Sequence, residues 1–310
     1  MTSVAVTSRS FSTHPVLRHE LCKRYPQVVF NDKGKSLSGY ELIDFLKYHD
    51  MAIIGLERLD AETLVNLPYL KVVSRFGVGI DTLDLHAMQR LGIRLAYTAG
   101  ANKRSVAELV IAFAINMLRL LPHAHHEVKT GSWNQRKGRQ LSGKPFGIIG
   151  LGAIGKEVAL LLKAFDCTIL AYDVIKHAEF CNRHGIVQLD LETLLQESTI
   201  ISLHLPLNKS TAGILDTKRL SLLKHDAIVI NTARGGLVNE QTIKYMLLNQ
   251  KLAAAAFDVF ENEPPTDKEL VMLPNFFATP HIGGSTEEAI LAMGYAAIEG
   301  LDTAALPELA

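Results

Sequence analysis

The apolar run Phe146-Gly-Ile-Ile149 passes straight into Gly150-Leu-Gly-Ala-Ile-Gly155, and Asp173 closes the next apolar run, Thr168–Tyr172. This spacing restricts the chain strongly: a strand enters, a glycine turn follows, and a helix leaves against the same sheet. Gly150 permits the tight turn, and Gly152 lets the backbone approach an anion. Gly155 lets the helix, expected over 154–165, lie close to its strand. The free N–H groups and positive end of that helix then face a pyrophosphate. Asp173 can accept both ribose hydroxyls of NAD and would repel the extra phosphate of NADP. Glycine turns before helices are common, so the glycines alone say little. Strand, helix and distal acid in this order point to NAD.

At 310 residues the chain is long for one core and comfortable for two. Thirty-two basic residues balance 32 acidic ones, which argues against nucleic acid and anionic membranes as partners. Cys22, Cys167 and Cys181 are scattered, odd in number and without metal-ligand spacing. No metal site is expected from them, and they suit a reducing cytoplasm. Val4–Thr7 reads as a first strand rather than part of a leader. The most apolar stretch, Val106 to Leu121, carries Glu108, Asn116 and Arg119. It is too polar for a bilayer span and reads as a buried helix.

Short apolar runs alternate with helical patterns throughout, the rhythm of parallel α/β sheets. Strands are expected near Val4–Thr7, Val28–Phe30, Ala52–Ile54, Val72–Ser74 and Arg94–Ala96. A second series is expected at Phe146–Ile149, Thr168–Tyr172, Ile200–Leu203, Ala227–Asn231, Ala253–Asp258 and Phe276–Ala278. Ser38 with Glu41, and Ser285 with Glu288, are spaced as capping boxes. One long helix is expected from Ser105 to Lys129, apolar on too much of its circumference for a one-sided surface helix. A polar connector, Gly131–Gly143, follows it. The last helix, running to about Leu301, should fold back onto the first domain. The expected architecture is therefore two open parallel-sheet α/β domains with a cleft between them. Residues 1–98 with 283–310 form one, and residues 99–282 form the NAD-binding one.

Three segments fall at strand ends of the second series, the edge where open α/β sheets place ligands. Arg234 leaves the strand Ile228–Asn231 into Gly235-Gly236. Asp258 and Glu263 follow the next strand, and His281 follows the last, behind Pro280. Taken singly, each is an ordinary surface or loop residue. Together, a cation, an acid and a histidine leave one sheet edge from successive strands. The set suits hydride transfer at a carbinol beside a carboxylate. A guanidinium can hold the carboxylate and polarise a C2 carbonyl. A histidine can exchange the hydroxyl proton, and a carboxylate bonded to that ring fixes its tautomer.

On these motifs the chain resembles the D-isomer-specific 2-hydroxyacid dehydrogenase family, most closely its phosphoglycerate dehydrogenase branch. The likeness runs through Arg75–Asp84, Asn102–Glu108, the glycine motif, Asn231–Gly236, Asp258–Pro265 and Thr279–Thr286. It implies a flavodoxin-like substrate domain and a Rossmann NAD domain. It also implies that Arg234 binds substrate, that His281 is the general acid/base and that Glu263 is its partner. Contacts to NAD are implied for Thr98, Ala153, Ile154, Asp173, His204, Leu205, Thr232, Ala233, Arg234, Asp258, His281, Gly283 and Gly284, beside Gly150, Gly152 and Gly155.

The loop Val73–Asp81, with Val78 and Gly79, resembles the family's substrate-carboxylate loop; unaided, it is a glycine-rich βα turn. Arg75 matches an arginine that helps hold a substrate phosphate; unaided, it reads equally as an exposed strand-end cation. The basic connector around Trp133, Arg136, Lys137 and Arg139 resembles one that reaches a neighbouring subunit, although a solvated charge run is the default reading. A homodimer through helix 105–129 is implied, with a tetramer possible. Lys103-Arg104 depart from the branch's usual residues. The chain stops at Ala310, without the small serine-sensing domain of some members, so feedback through that domain is not expected. The implied reaction oxidises 3-phosphoglycerate to 3-phosphohydroxypyruvate, as in serine biosynthesis. A glyoxylate or hydroxypyruvate reductase is the alternative on the same scaffold, and a non-catalytic NAD sensor is a further one. An amide where Glu263 stands would have pointed to formate dehydrogenase, and a tyrosine before the long helix to D-lactate dehydrogenase.

Overall fold

A computed structural model describes residues 2–309. The chain divides into two compact units, one running up to Asn102 and resuming at Gly284, the other spanning Lys103–Gly283. These divisions lie a few residues beyond the 98/99 and 282/283 read from sequence. Gly284 packs on the side chain of Asn102, both within the first unit, which thus gains residues at its first crossing and gives up one at its second.

The first unit holds five parallel strands: β1 (Ser3–Val6), β2 (Gln27–Phe30), β3 (Met51–Ile54), β4 (Val72–Arg75) and β5 (Arg94–Ala96). Their order, β2-β1-β3-β4-β5, is the flavodoxin-like winding. The helix Glu287–Thr303 returns to this sheet, where the Ser74 hydroxyl donates to the Ala297 carbonyl at 2.7 Å.

The second unit holds seven parallel strands: β6 (Pro145–Ile149), β7 (Thr168–Tyr172), β8 (Val187–Gln188), β9 (Ile200–Leu203), β10 (Ile228–Asn231), β11 (Ala254–Phe257) and β12 (Phe276–Ala278). Every residue of β9, β10 and β11 is buried, as expected of a parallel sheet covered on both faces. The order β12-β11-β10-β9-β6-β7-β8 reverses direction between β6 and β9. At that switch point the carboxyl ends of two strands diverge and leave a crevice. β8 was not expected from sequence; it is a two-residue edge strand with no apolar run to reveal it.

Three local expectations are corrected. The single helix 105–129 is two, Lys103–Arg119 and Leu121–Lys129, bent by 61°. Pro122 lacks the N–H that Leu118's carbonyl would accept, and its ring collides with that carbonyl. Leu120 turns left-handed at φ 53, and the Leu118 oxygen takes the Arg139 N–H instead, at 2.9 Å. Ser38 makes no capping bond. Gly39 begins that helix at φ 50, which turns the first N–H groups away, and Glu41 pairs with Lys35. The last helix is capped by Thr286, not Ser285. It starts one residue later, with Glu287 and Glu288 in the first turn at the positive end of the dipole. The helix after the glycine motif is regular over Ala153–Leu162 and tightens to a single narrower turn at Lys163–Phe165.

Candidate active site

The glycine motif lies at the β6 end of the switch point. Gly150 takes φ 97, a conformation that side chains resist, and its N–H donates to the Tyr172 carbonyl at 2.8 Å. A Cβ on Gly155 would overlap the Gly150 carbonyl oxygen, so the helix can approach its strand only with glycine there. Gly152 caps the helix, and a Cβ on it would meet no atom within 4 Å, leaving an open cradle over the first turn. Asp173 is tied to the same turn: Oδ2 accepts from Leu151 N–H at 2.7 Å and Oδ1 from Ile175 N–H at 2.9 Å. After it come Val174 and Ile175, 86% and 62% exposed, then Lys176 and His177, whose Nε2 lies 3.8 Å from Asp173 Oδ2.

His204, at the end of β9, is partly buried, and desolvation pushes its imidazole down to about 3. Nε2 shares a hydrogen bond with Ser202 Oγ at 2.8 Å. The ring's Nδ1 and the Thr232 hydroxyl are buried atoms with no partner among the described residues, so both can take a ligand atom. Cradle, helix N-terminus, clamped acid and unmatched polar atoms together fit a dinucleotide.

Arg234, Glu263 and His281 gather along the ends of β10, β11 and β12. Asn231 accepts the Ala233 N–H and donates to the Arg234 carbonyl, and Arg234 Nη1 donates to the Ala233 carbonyl at 2.6 Å. Glu263 Oε1 accepts the Phe260 N–H at 3.1 Å, and its Oε2 lies 2.8 Å from His281 Nδ1. A carboxylate only accepts, so Nδ1 carries the proton and Nε2 is the ring atom left to exchange one. The two side chains are 38% and 33% exposed, open enough for a small molecule to reach them.

His281 itself stands at φ 54, unusual for a residue with a Cβ. Asp258, buried, holds it there. The Asp258 carbonyl accepts the His281 N–H, while its carboxylate accepts from Thr279 Oγ1, Ile282 N–H and Gly283 N–H. Beside the pair opens a cavity of about 400 Å³ lined by Phe260, Pro264, Pro265, Ala278 and Pro280, with carboxylates but no cation on its wall.

The second unit holds Gly150, Gly152, Ala153, Ile154, Gly155, Asp173, His204, Leu205, Thr232, Ala233, Arg234, Asp258, Glu263, His281 and Gly283. Arg75, Val78, Gly79, Thr98 and Gly284 belong to the first. There Arg75 ends β4 with 4% exposure, its Nε folded beside Gly77. Sequence reading missed the roles of Asn231 and Thr279 in fixing these loops. It also missed Glu240, whose half-buried carboxyl is pushed up by desolvation and accepts the Glu261 N–H at 2.8 Å. A polar residue closing a buried strand was the available signal for Asn231. In the connector, Arg136 makes two bonds to Glu127 and Arg139 two to Asp226, one to its carboxylate and one to its carbonyl, while Trp133 is 79% exposed. Lys103 and Arg104 both pair with Glu157 on the glycine-motif helix.

Residues 111–283 match the model of the D-isomer specific 2-hydroxyacid dehydrogenase NAD-binding domain. The chain is 39% identical to the D-3-phosphoglycerate dehydrogenase of Archaeoglobus fulgidus over 262 residues, 83% of this chain and 50% of that protein. It is 37% identical to the hydroxypyruvate reductase of Thermotoga maritima, over 84% of this chain and 86% of the relative. Among solved structures it superposes on a D-lactate dehydrogenase from Aquifex aeolicus complexed with NAD and lactic acid. That match has a TM-score of 0.85 at 28% identity and covers 97% and 95% of the two chains. The chain spans about half the length of the phosphoglycerate dehydrogenases it matches.

Proposed function

The chain belongs to the D-isomer-specific 2-hydroxyacid dehydrogenase family, and we propose that it is an NAD-dependent enzyme that interconverts 3-phosphoglycerate and 3-phosphohydroxypyruvate. The observation that carries the chemistry is the Glu263–His281 pair held at 2.8 Å along the edge that also presents Arg234. Bound NAD would rest on the Gly150–Gly155 turn with Asp173 at its ribose, and it supplies the hydride acceptor. Arg234 holds the substrate carboxylate through paired N–H donors. His281 Nε2 takes the C2 hydroxyl proton as the C2 hydrogen departs with its electron pair, and returns it in the reverse direction. Glu263 keeps the ring in the tautomer that leaves Nε2 free and stabilises the imidazolium that forms.

Arg75 is the residue we assign to the phosphate, and relatives named as phosphoglycerate dehydrogenases support that choice. A second reading, reduction of an unphosphorylated 2-oxo acid, is favoured by the cation-free wall of the cavity beside His281. Steady-state kcat/KM for 3-phosphoglycerate, glycerate and glycolate separates the two. A preference for glycerate or glycolate overturns the first, and no turnover with any of them leaves a nucleotide-binding protein. We further assign a homodimer to the outer face of Lys103–Arg119, where Ile111 and Ile115 stay half-exposed while the opposite face is buried. The cytoplasm is the compartment its free cysteines suit.

A further inference from the structure

Asn231 ends β10 with 1% of its surface exposed, and the reaction above gives it no task. Both edges of its amide are committed to the residues that follow the strand. Oδ1 accepts the Ala233 N–H at 3.1 Å, and Nδ2 donates to the Arg234 carbonyl at 2.8 Å. In such a turn a side chain replaces a main-chain unit and fixes the direction of the next residues. The anchor is rigid as well. Asn231 pairs in register with Leu203 and Phe257, and its carbonyl accepts the Asp258 N–H at 2.9 Å.

Beyond Arg234 the chain has no slack. A Cβ on Gly235 would overlap the Phe260 carbonyl, so this turn sits flush on the segment that leads to Glu263. Phe260 N–H in turn holds Glu263, and Glu263 holds His281. We propose that Asn231 is a positioning residue that sets the Arg234 guanidinium relative to the Glu263–His281 pair. The inference rests on Arg234 as the holder of the substrate carboxylate. If the amide merely satisfied buried main-chain groups, its loss would weaken the fold without singling out the substrate.

The experiment compares Asn231→Ala, Asn231→Asp, Arg234→Lys and the Asn231→Ala/Arg234→Lys double variant. The readouts are single-turnover kcat/KM for 2-oxo acid reduction, with enzyme in excess, and the NADH dissociation constant by fluorescence. Misplacing a catalytic contact by about an ångström costs on the order of 10²-fold, so Asn231→Ala should lose ~10- to 100-fold in kcat/KM. The NADH constant should move far less than kcat/KM, since Thr232 and Ala233 lie beside the shifted turn but the glycine motif and Asp173 carry most of the proposed cofactor contacts. In the Arg234→Lys background the further loss should stay below about threefold, because two changes acting through one group are not additive. Asn231→Asp keeps the shape and the acceptor but not the donor. It should fall in between, and it supplies the measurement if the alanine variant does not fold. Equal losses in both backgrounds, or NADH binding weakened in step with activity, would overturn the positioning role. An Arg234→Lys variant as active as wild type would overturn the assignment of Arg234 itself, a separate failure.

Discussion

Both sheets are parallel and wound in both directions from a central strand, yet they finish their strands differently. The five-stranded sheet closes β4 with one buried guanidinium, Arg75, followed by a glycine loop. The seven-stranded sheet closes its strands with ionisable side chains whose loops are fastened from below. Asp173 fastens the glycine turn, Asn231 the Arg234 turn and Asp258 the His281 loop. On the reaction proposed above, the same architecture serves recognition in one unit and proton transfer in the other. The winding decides where the edge lies, and the residues at the strand ends decide what it does.

The sharpest way to break this contrast is at His281. If the second unit's edge supplies the proton transfer, His281→Ala should lower kcat by about 10²- to 10⁴-fold while NADH binding is retained. A variant with near-normal kcat would leave that edge as a binding surface only. Cofactor choice comes next in size. Asp173→Ala should reduce the preference for NAD over NADP by about tenfold or more, the worth of one charged contact. Because the carboxylate also fastens Leu151, the KM for NAD should rise in the same variant. Equal use of both cofactors by the wild-type protein would remove Asp173 from the discrimination.

Much of this edge was legible in sequence, for a physical reason. Fully buried parallel strands must be continuous apolar runs, so Ile200–Leu203 and Ile228–Asn231 announce themselves, and the polar residue that ends such a run stands at the ligand-bearing edge. The glycine motif was legible because its backbone geometry excludes other residues at Gly150 and Gly155. What escaped depends on contacts distant in sequence or on hydrogen-bond direction. The break at Leu120 follows from Pro122, but its stabilisation comes from Arg139, outside the helical pattern. Thr286 rather than Ser285 caps the last helix, a one-residue choice that composition does not decide. The fastening roles of Asn231 and Thr279 appear only once neighbouring loops are in place.

A smaller effect tests how dry the seven-stranded unit's edge is. Burial lowers the His204 imidazole from its ordinary 6.5 to about 3. The unfolded chain takes up a proton near pH 6.5 and the folded protein only near pH 3. Stability from the neutral ring is thus full above pH 6.5 and lost as pH falls across that window. At pH 5 the loss reaches about 2 kcal/mol. In His204→Gln, the fall in Tm between pH 7 and pH 5 should be smaller than in wild type by ~4–8 °C. Parallel falls in the two proteins would mean that water reaches the ring.

The recognition edge is tested at Arg75, where the smallest effect is expected. A guanidinium only 4% exposed acts through surroundings that screen it less than bulk water, so an anion reaching it gains more than at a surface cation. Arg75→Ala should raise KM for 3-phosphoglycerate by about tenfold relative to glycerate, the worth of one charge-assisted contact. Lysine at this position should restore only part, because it lacks the planar two-pronged donor set. KM for NAD should stay unchanged, since the glycine motif and Asp173 lie in the other unit. Equal losses on the two acids would mean that Arg75, folded beside Gly77, only shapes the glycine loop. The first unit's edge would then recognise a carboxylate without a phosphate, and the substrate would move to the unphosphorylated hydroxy acids.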